Sequence, residues 1–406
     1  MIIKRKTFLY LIFITVIFLI IYFLLPNLTS FSYDSMQKDD TDSLIKKVGD
    51  SNIKSDIKKE ENQVQASREE KILLPITHIK TPEIVKAIYM SSWVAGTNDF
   101  KNSLISMINE TELNAVVIDI KDSTGKISFE VSDPILVKEK SVEKRISDIS
   151  ALINLLHNKN IYVIGRIAVF QDPHFIKAHP DSAVKTNTNK EIFWKDRKGI
   201  SWIDANSPEA WEYTVALAKE SYALGFDEIN FDYIRFPSDG NMKDIYYPQS
   251  DGKVKTEVMK SFYEYLNKNL KVNSIPISAD LFGMTATNTD DLNIGQILED
   301  ALRNFDFVAP MVYPSHFPPN WNGYLKPATM PYEVIQNSMS KAVVKANAIG
   351  ESPLKLRPWL QDFDMGATYT KEMVRAQIKA TYDVGLNSWM LWDPANKYTK
   401  SALEIN

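Results

Sequence analysis

The 406-residue chain contains no cysteine. That absence excludes thiol nucleophiles, thiolate metal sites, disulfides and acyl-cysteine lipid anchors. Histidine is scarce as well, five in all, and neither HxH nor HExxH spacing occurs. Zinc-hydrolase chemistry therefore lacks its ligand set, and no metal is expected. A serine hydrolase would need a GxSxG elbow, which is missing. The formal net charge of −4 is too small to argue for nucleic acid or any other strongly charged partner. Nothing in the chain calls for a cofactor.

What is present begins at the N-terminus. Lys4, Arg5 and Lys6 precede an apolar run from Phe8 to Leu25 that is broken only by Thr15 and tyrosine hydroxyls. A helix needs about 20 apolar residues to span a bilayer. No small-x-small cleavage site follows; Leu24, Leu25, Pro26, Asn27 and Leu28 stand there instead. The flanking cations place this end in the cytoplasm. Residues 1–25 thus read as an uncleaved signal-anchor that exports the remainder, with a cleaved signal and a secreted protein as the alternative. Residues 26–81 are polar, mixed in charge and poor in aromatics. Such a segment cannot bury enough apolar surface to offset its ordering entropy, so a flexible stalk is expected there.

Residues 82–406 alternate two textures. Apolar runs stand at 85–93, 115–122, 161–170, 226–236, 275–284, 306–314, 355–363 and 388–394. Segments with helical spacing separate them, among them 144–157, 208–223, 255–270, 291–303, 332–346 and 370–384. Strands alternating with helices imply parallel pairing and right-handed crossovers. Eight such units predict a closed (β/α)8 TIM barrel; an open doubly wound sheet competes, but no glycine-rich phosphate turn follows the first strand. Asn206-Ser207-Pro208-Glu209 is a helix start, and Gly225 and Gly385 are stops. Insertions at 171–206, 237–253 and 315–331 follow strands three, four and six, on the face where barrels bind substrates.

Ionisable residues gather at the strand ends. Asp232 ends the fourth run, "GFDEINFDYIRFP", and Asp280 the fifth, "IPISADLFG". Parity places Asn230 with Asp232 and Ser278 with Asp280 on one face of their strands, and the apolar alternates on the other. The polar face must be the barrel interior. Asp119 and Lys121 behave alike on strand two, and so does Arg166 on strand three. A self-satisfying ionic network is the bland explanation; a site explains the concentration better. Neighbouring parallel strands lie about 4.8 Å apart, so matched carboxylates approach the ~5–5.5 Å typical of retaining glycosidases. Asp232 is assigned as nucleophile and Asp280 as general acid/base, with the roles exchangeable. Arg235 either orients Asp232 or caps its loop. Tyr313, Gln361 and Trp392 end strands six, seven and eight. Trp93, Trp194, Trp202, Tyr233, Trp321 and Trp359 supply further rings on which sugars could stack, though any one of them alone more often anchors a core or loop. His174 and His316 either bind substrate hydroxyls or make structural bonds.

The segment "RIAVFQDPHF … WKDRKGISWIDANSPEAWEYTVALAKESYALGFDEINFDYIRFPSDG" (166–240) resembles the bacterial family described as a putative glycosyl hydrolase domain. So do "ISADLFGM", "IGQILEDA", "APMVYPSHFP", "RPWLQDF" and "WMLWDPANKY", in the same order. The resemblance covers residue 85 to about 400. It implies a (β/α)8 barrel of the α-amylase-like glycosidase group, with the nucleophile ending strand four and the acid/base ending strand five; residue by residue these are Asp232 and Asp280. That group usually has glutamate as acid/base where this chain has the shorter Asp280. The group's third acid, on strand seven, corresponds to Asp362 or Asp364. The expectation is a membrane-anchored, extracytoplasmic glycoside hydrolase whose partner is an envelope or extracellular polysaccharide. A catalytically silent glycan-binding barrel is the rival, and a transglycosidase would use the same residues.

Overall fold

The computed structural model describes residues 76–406. The signal-anchor expected over residues 1–25, and the stalk up to residue 75, lie outside the described residues. Among those described, no helix is long and apolar enough to cross a membrane.

Eight strands form the centre: β1 (Lys86–Met90), β2 (Ala115–Lys121), β3 (Tyr162–Ala168), β4 (Glu228–Asp232), β5 (Ile277–Phe282), β6 (Phe307–Met311), β7 (Trp359–Gln361) and β8 (Trp389–Trp392). Each pairs in parallel with its neighbour in the chain, and β8 pairs back onto β1 to close the barrel. The predicted apolar runs each contain one of these strands. The helices α1 (Asn98–Glu110), α2 (Ile149–His157), α3 (Pro208–Ala223), α4 (Lys255–Lys271), α5 (Leu298–Asn304), α6 (Pro331–Ala348) and α7 (Lys371–Asp383) form the outer ring. After β8 the chain ends in a short 3-10 turn, Lys400–Ala402.

Local chemistry sets the helix bounds. Ser207 caps α3 by accepting from the Ala210 amide, Pro208 opens it, and Gly225 leaves it at φ +115°, a conformation open mainly to glycine. Two predicted helices begin late. α2 waits for Asp148, whose side chain accepts from the Ala151 amide. Residues 290–297 form a loop before α5, because Asp290 and Asp291 bond the amides of Leu292, Asn293 and Gly295 and offer the backbone an alternative to helix.

Strand alternation separates two cores. Ile118, Ile229, Phe231, Ala279 and Leu281 face the helices, while Ala87, Tyr89, Val117, Tyr162, Ile164 and Trp359 fill the barrel. On β4 the inward set is Glu228, Asn230 and Asp232. Glu228 sits deepest, paired with Arg357 at 2.9 Å and accepting from the Tyr162 hydroxyl. At the N-terminal end, residues 76–81 lie against the barrel: the Ile79 amide donates to Asp227 at 2.7 Å, and the His78 ring stacks on Tyr222. At the opposite end the insertions after β3 and β4 join through a two-residue antiparallel pairing of Lys185–Thr186 with Ile245–Tyr246.

Candidate active site

Register brings the two acids level. Asn230 pairs with Ser278 and Phe231 with Ala279, so Asp232 and Asp280 follow at the same height on neighbouring strands. Both face the interior and are largely covered, 5% and 1% exposed.

Arg166 of β3 organises the pair. Its Nε and Nη2 donate to Asp232 Oδ2 at 3.1 and 2.5 Å, and its Nη1 donates to Asp119 Oδ1 at 2.7 Å. Burial opposes the guanidinium's charge, but Asp232, Asp119, Tyr89 and Asp280 outweigh it and hold Arg166 firmly protonated. Burial also pushes Asp119 up, against the pull of Arg166 and of the Tyr89 hydroxyl, which donates to it at 2.5 Å.

Asp280 has a different environment. Its Oδ1 accepts from Asn230 Nδ2 at 3.0 Å and Trp359 Nε1 at 2.8 Å. Its Oδ2 lies 4.0 Å from Arg166 Nε, beyond hydrogen-bond range. Burial, and then the charge of Asp232, push Asp280 up to about 8, against the lowering effects of Arg166, Asn230 and Trp359. The neutral form of Asp280 is thereby favoured over the charged one. Two donors already occupy Oδ1, which leaves Oδ2 as the oxygen better placed to take a proton. The two Oδ2 atoms stand 3.1 and 4.0 Å from the same Nε, which bounds their separation at 7.1 Å.

The chain turns sharply after β4. Tyr233 has φ +52°, uncommon for a residue with a side chain and a form of local strain that clusters at functional sites. Its amide donates to Asp232 Oδ1 at 2.5 Å, so Asp232 accepts on both oxygens. Tyr313, after β6, is held far above the usual phenol range by burial and by the charges of Asp280 and Asp232, so its hydroxyl keeps its proton. Trp392 stacks on Tyr89 at 4.0 Å, meets Trp359 edge-on at 5.4 Å, and has the Arg166 guanidinium 5.2 Å from its ring.

The structure thus gathers Asp232, Asp280, Asp119, Arg166, Tyr313, Trp359 and Trp392. At the rim, the Arg235 guanidinium lies over Trp202 and Tyr233, at 5.0 and 5.4 Å, and bonds the Phe236 carbonyl and Ser238 Oγ. It makes no hydrogen bond to Asp232, so loop capping describes it better than orientation of that acid. His316 packs edge-on against Tyr313 and Phe363; burial, and then Lys198, lower its pKa.

Three residues expected here are employed elsewhere. Lys121 should share the face of Asp119, but the pairing slips between them and sets Lys121 opposite Ile167, an outward residue. This β-bulge turns the ammonium into the helix layer, where it pairs with Asp172 at 2.5 Å near the Tyr213 ring. His174 follows that network: Nε2 donates to the Glu139 carbonyl, leaving Nδ1 to accept from Lys126 Nζ. Gln361 is wholly buried and ties loops together, accepting from the Ser315 amide and donating to the Phe363 carbonyl. The two candidates for a third acid are also committed. Asp362 accepts from the amide and hydroxyl of Thr399, and Asp364 from the Tyr369 amide. Among the described residues, no group of three or more His, Cys, Asp or Glu side chains could hold a metal.

Tyr89 and Asn230 contact the acidic cluster directly. Parity puts Asn230 on the face of Asp232 without giving it a role, and the same rule could have found Tyr89, two residues past inward Ala87.

A search of curated proteins finds no match. Among solved structures, the glycoside hydrolase domain of PgaB (BpsB) from Bordetella bronchiseptica aligns over 80% of this chain and 99% of its own, at 14% identity and TM-score 0.57; at that identity it shows the fold alone. A hypothetical protein from Ruminiclostridium thermocellum is 32% identical over 48% of this chain and 96% of its own, with TM-score 0.43. The spore cortex-lytic enzyme SleL of Bacillus megaterium aligns over 88% of this chain and 83% of its own, at 10% identity and TM-score 0.46. The family described as "Putative glycosyl hydrolase domain" matches residues 87–398, and the chain belongs to it.

Proposed function

We propose that the protein is a membrane-anchored glycoside hydrolase acting outside the cytoplasm on a cell-envelope or extracellular polysaccharide. One observation carries the chemistry: two carboxylates stand level on neighbouring strands in unlike surroundings, Asp232 accepting on both oxygens from Arg166 and the Tyr233 amide, and Asp280 buried, pushed up by that burial and by the charge of Asp232, with both its donors on Oδ1. In this reading Asp280 protonates the leaving glycosidic oxygen as Asp232 attacks the anomeric carbon. Asp280, now ionised, then draws the proton from the water that releases the sugar. Arg166, 4.0 Å away, favours that ionised state. The 7.1 Å bound on the Oδ2 separation admits the ~5–5.5 Å of retaining enzymes. The basic and apolar residues 4–25 support the anchor.

A silent glycan-binding barrel is favoured by a specific feature too, the double hydrogen bond from Arg166 that neutralises Asp232. Reducing-end release from envelope polysaccharides by the parent chain, Asp232→Asn and Asp280→Asn separates the two. Cleavage by the parent alone supports the hydrolase; glycan retention without cleavage by all three supports the binding barrel.

A further inference from the structure

We propose that Trp93 is a stacking platform for one pyranose ring of a polymeric glycan, a subsite separate from the acidic pair. This rests on reading the barrel's C-terminal face as carbohydrate-binding.

Trp93 is 60% exposed, whereas Trp194, Trp202, Trp359 and Trp389 are at most 2% exposed. It lies just past the C-terminal end of β1, on the one-turn helix Ser92–Ala95, and so on the same face as Asp232 and Asp280. Its ring is backed by Arg145, whose guanidinium lies 4.6 Å from the ring centroid. Arg145 is itself fixed: its side chain is 3% exposed and bonds Asp122 at 2.5 Å, Glu143 at 3.1 Å and Ser92 Oγ at 3.1 Å. The backbone is shaped to allow this contact. A Cβ at Gly96 would stand 2.1 Å from the Arg145 carbonyl oxygen, so a larger residue there would push the helix off the arginine.

One ring face is therefore held by an immobilised cation and the other is left to solvent. A ring ordered in advance loses little entropy when a ligand stacks on it. The arginine's partner Glu143, 43% exposed, bonds it through Oε1 alone, a carboxylate with capacity left to accept from a sugar hydroxyl. Of the large exposed apolar residues, Trp93 is the only one in the segments forming this rim, 91–97, 122–126 and 141–146. A protein partner would call for a contiguous apolar patch; a lone ring edged with acceptors suits a sugar. Three strand steps of about 4.8 Å separate β1 from β4, which places the platform on the order of 10 Å across the barrel mouth from Asp232. A single sugar cannot reach both, so the ligand engaging Trp93 and the acids together is a chain.

The test is affinity electrophoresis of the full chain in detergent, in native gels cast with glycol chitin, soluble starch, barley β-glucan or polygalacturonate. Asp280→Asn serves as the background, so that cleavage cannot erase retardation. Adding Trp93→Ala should raise the apparent Kd for the retarding polymer about three- to tenfold, the range of one aromatic contact. Adding Trp93→Phe should keep most of the affinity, since a ring face remains. An unchanged Kd for Trp93→Ala, equal losses for Ala and Phe, or no retardation by any polymer overturns the platform. If retardation depends on Trp93 while the parent releases no reducing ends, the hydrolase reading fails and the platform stands.

Discussion

Replacing Asp280 with asparagine should stabilise the fold, and by an amount that grows with pH. The carboxyl is 1% exposed and lifted from an ordinary 3.8 to about 8. Between those values the unfolded chain has lost the proton and the folded chain keeps it. Stability from this group is therefore complete at low pH and drains away as pH rises toward 8. From pH 4 to pH 7 about three units are crossed, each about 1.4 kcal/mol, for a total on the order of 4 kcal/mol. Asparagine avoids this loss, because its amide does not titrate. Its carbonyl can still accept from Asn230 and Trp359, which now bond Oδ1. Other titrations are common to both proteins and cancel in the difference. The assay is urea unfolding of parent and variant, followed by tryptophan fluorescence at half-unit steps from pH 4 to 8. The difference should favour asparagine increasingly with pH and level off near 8. A difference that is flat across this range, or that moves against asparagine, would mean Asp280 is already ionised in the fold, and the proton-donor role would go with it.

The same proton sets the alkaline limb of the rate profile. Cleavage should fall as pH passes about 8, and Trp359→Phe, which removes a donor to the ionised form, should move that limb upward by about one unit; a limb that stays put or moves down refutes this. Arg166→Met leaves Asp119 and Asp232 buried without their shared partner and should cost about 3–5 kcal/mol in urea unfolding. Lys121→Met should lower stability by a comparable amount, because buried Asp172 keeps the His174 and Phe175 amides but loses its cation, while retardation in polysaccharide gels stays as in the parent.

Much of the fold was legible in one dimension. Strand and helix periods differ, and burying a strand's apolar alternates forces its polar residues to the other face. That pattern located the eight strands and put Asp232 and Asp280 in one interior. It failed where a single residue is added to a ladder. At Ile120 the pairing of β2 with β3 slips, and Lys121 crosses from the expected site to the helix layer. Periodicity cannot register such a bulge, because the apolar sequence around it does not change. For a related reason the alternatives for His174 stayed open, and the structural employment of Gln361 went unseen: position at a strand end or in a loop says which face a residue is near, and nothing about partners brought by distant segments. The late start of α5 was readable in the Asp290-Asp291 pair, whose side chains compete for backbone amides.

The order of apolar runs, the glycine and proline punctuation, and the placing of two aspartates at successive strand ends belong to the sequence alone, since each follows from local sterics and from the need to bury one face. That Asp280 is pushed toward its neutral form was decided by tertiary structure. Arg166 arrives from β3, Trp359 from β7 and Tyr313 from beyond β6, and the energy of a buried charge depends on those long-range neighbours and on the water they exclude.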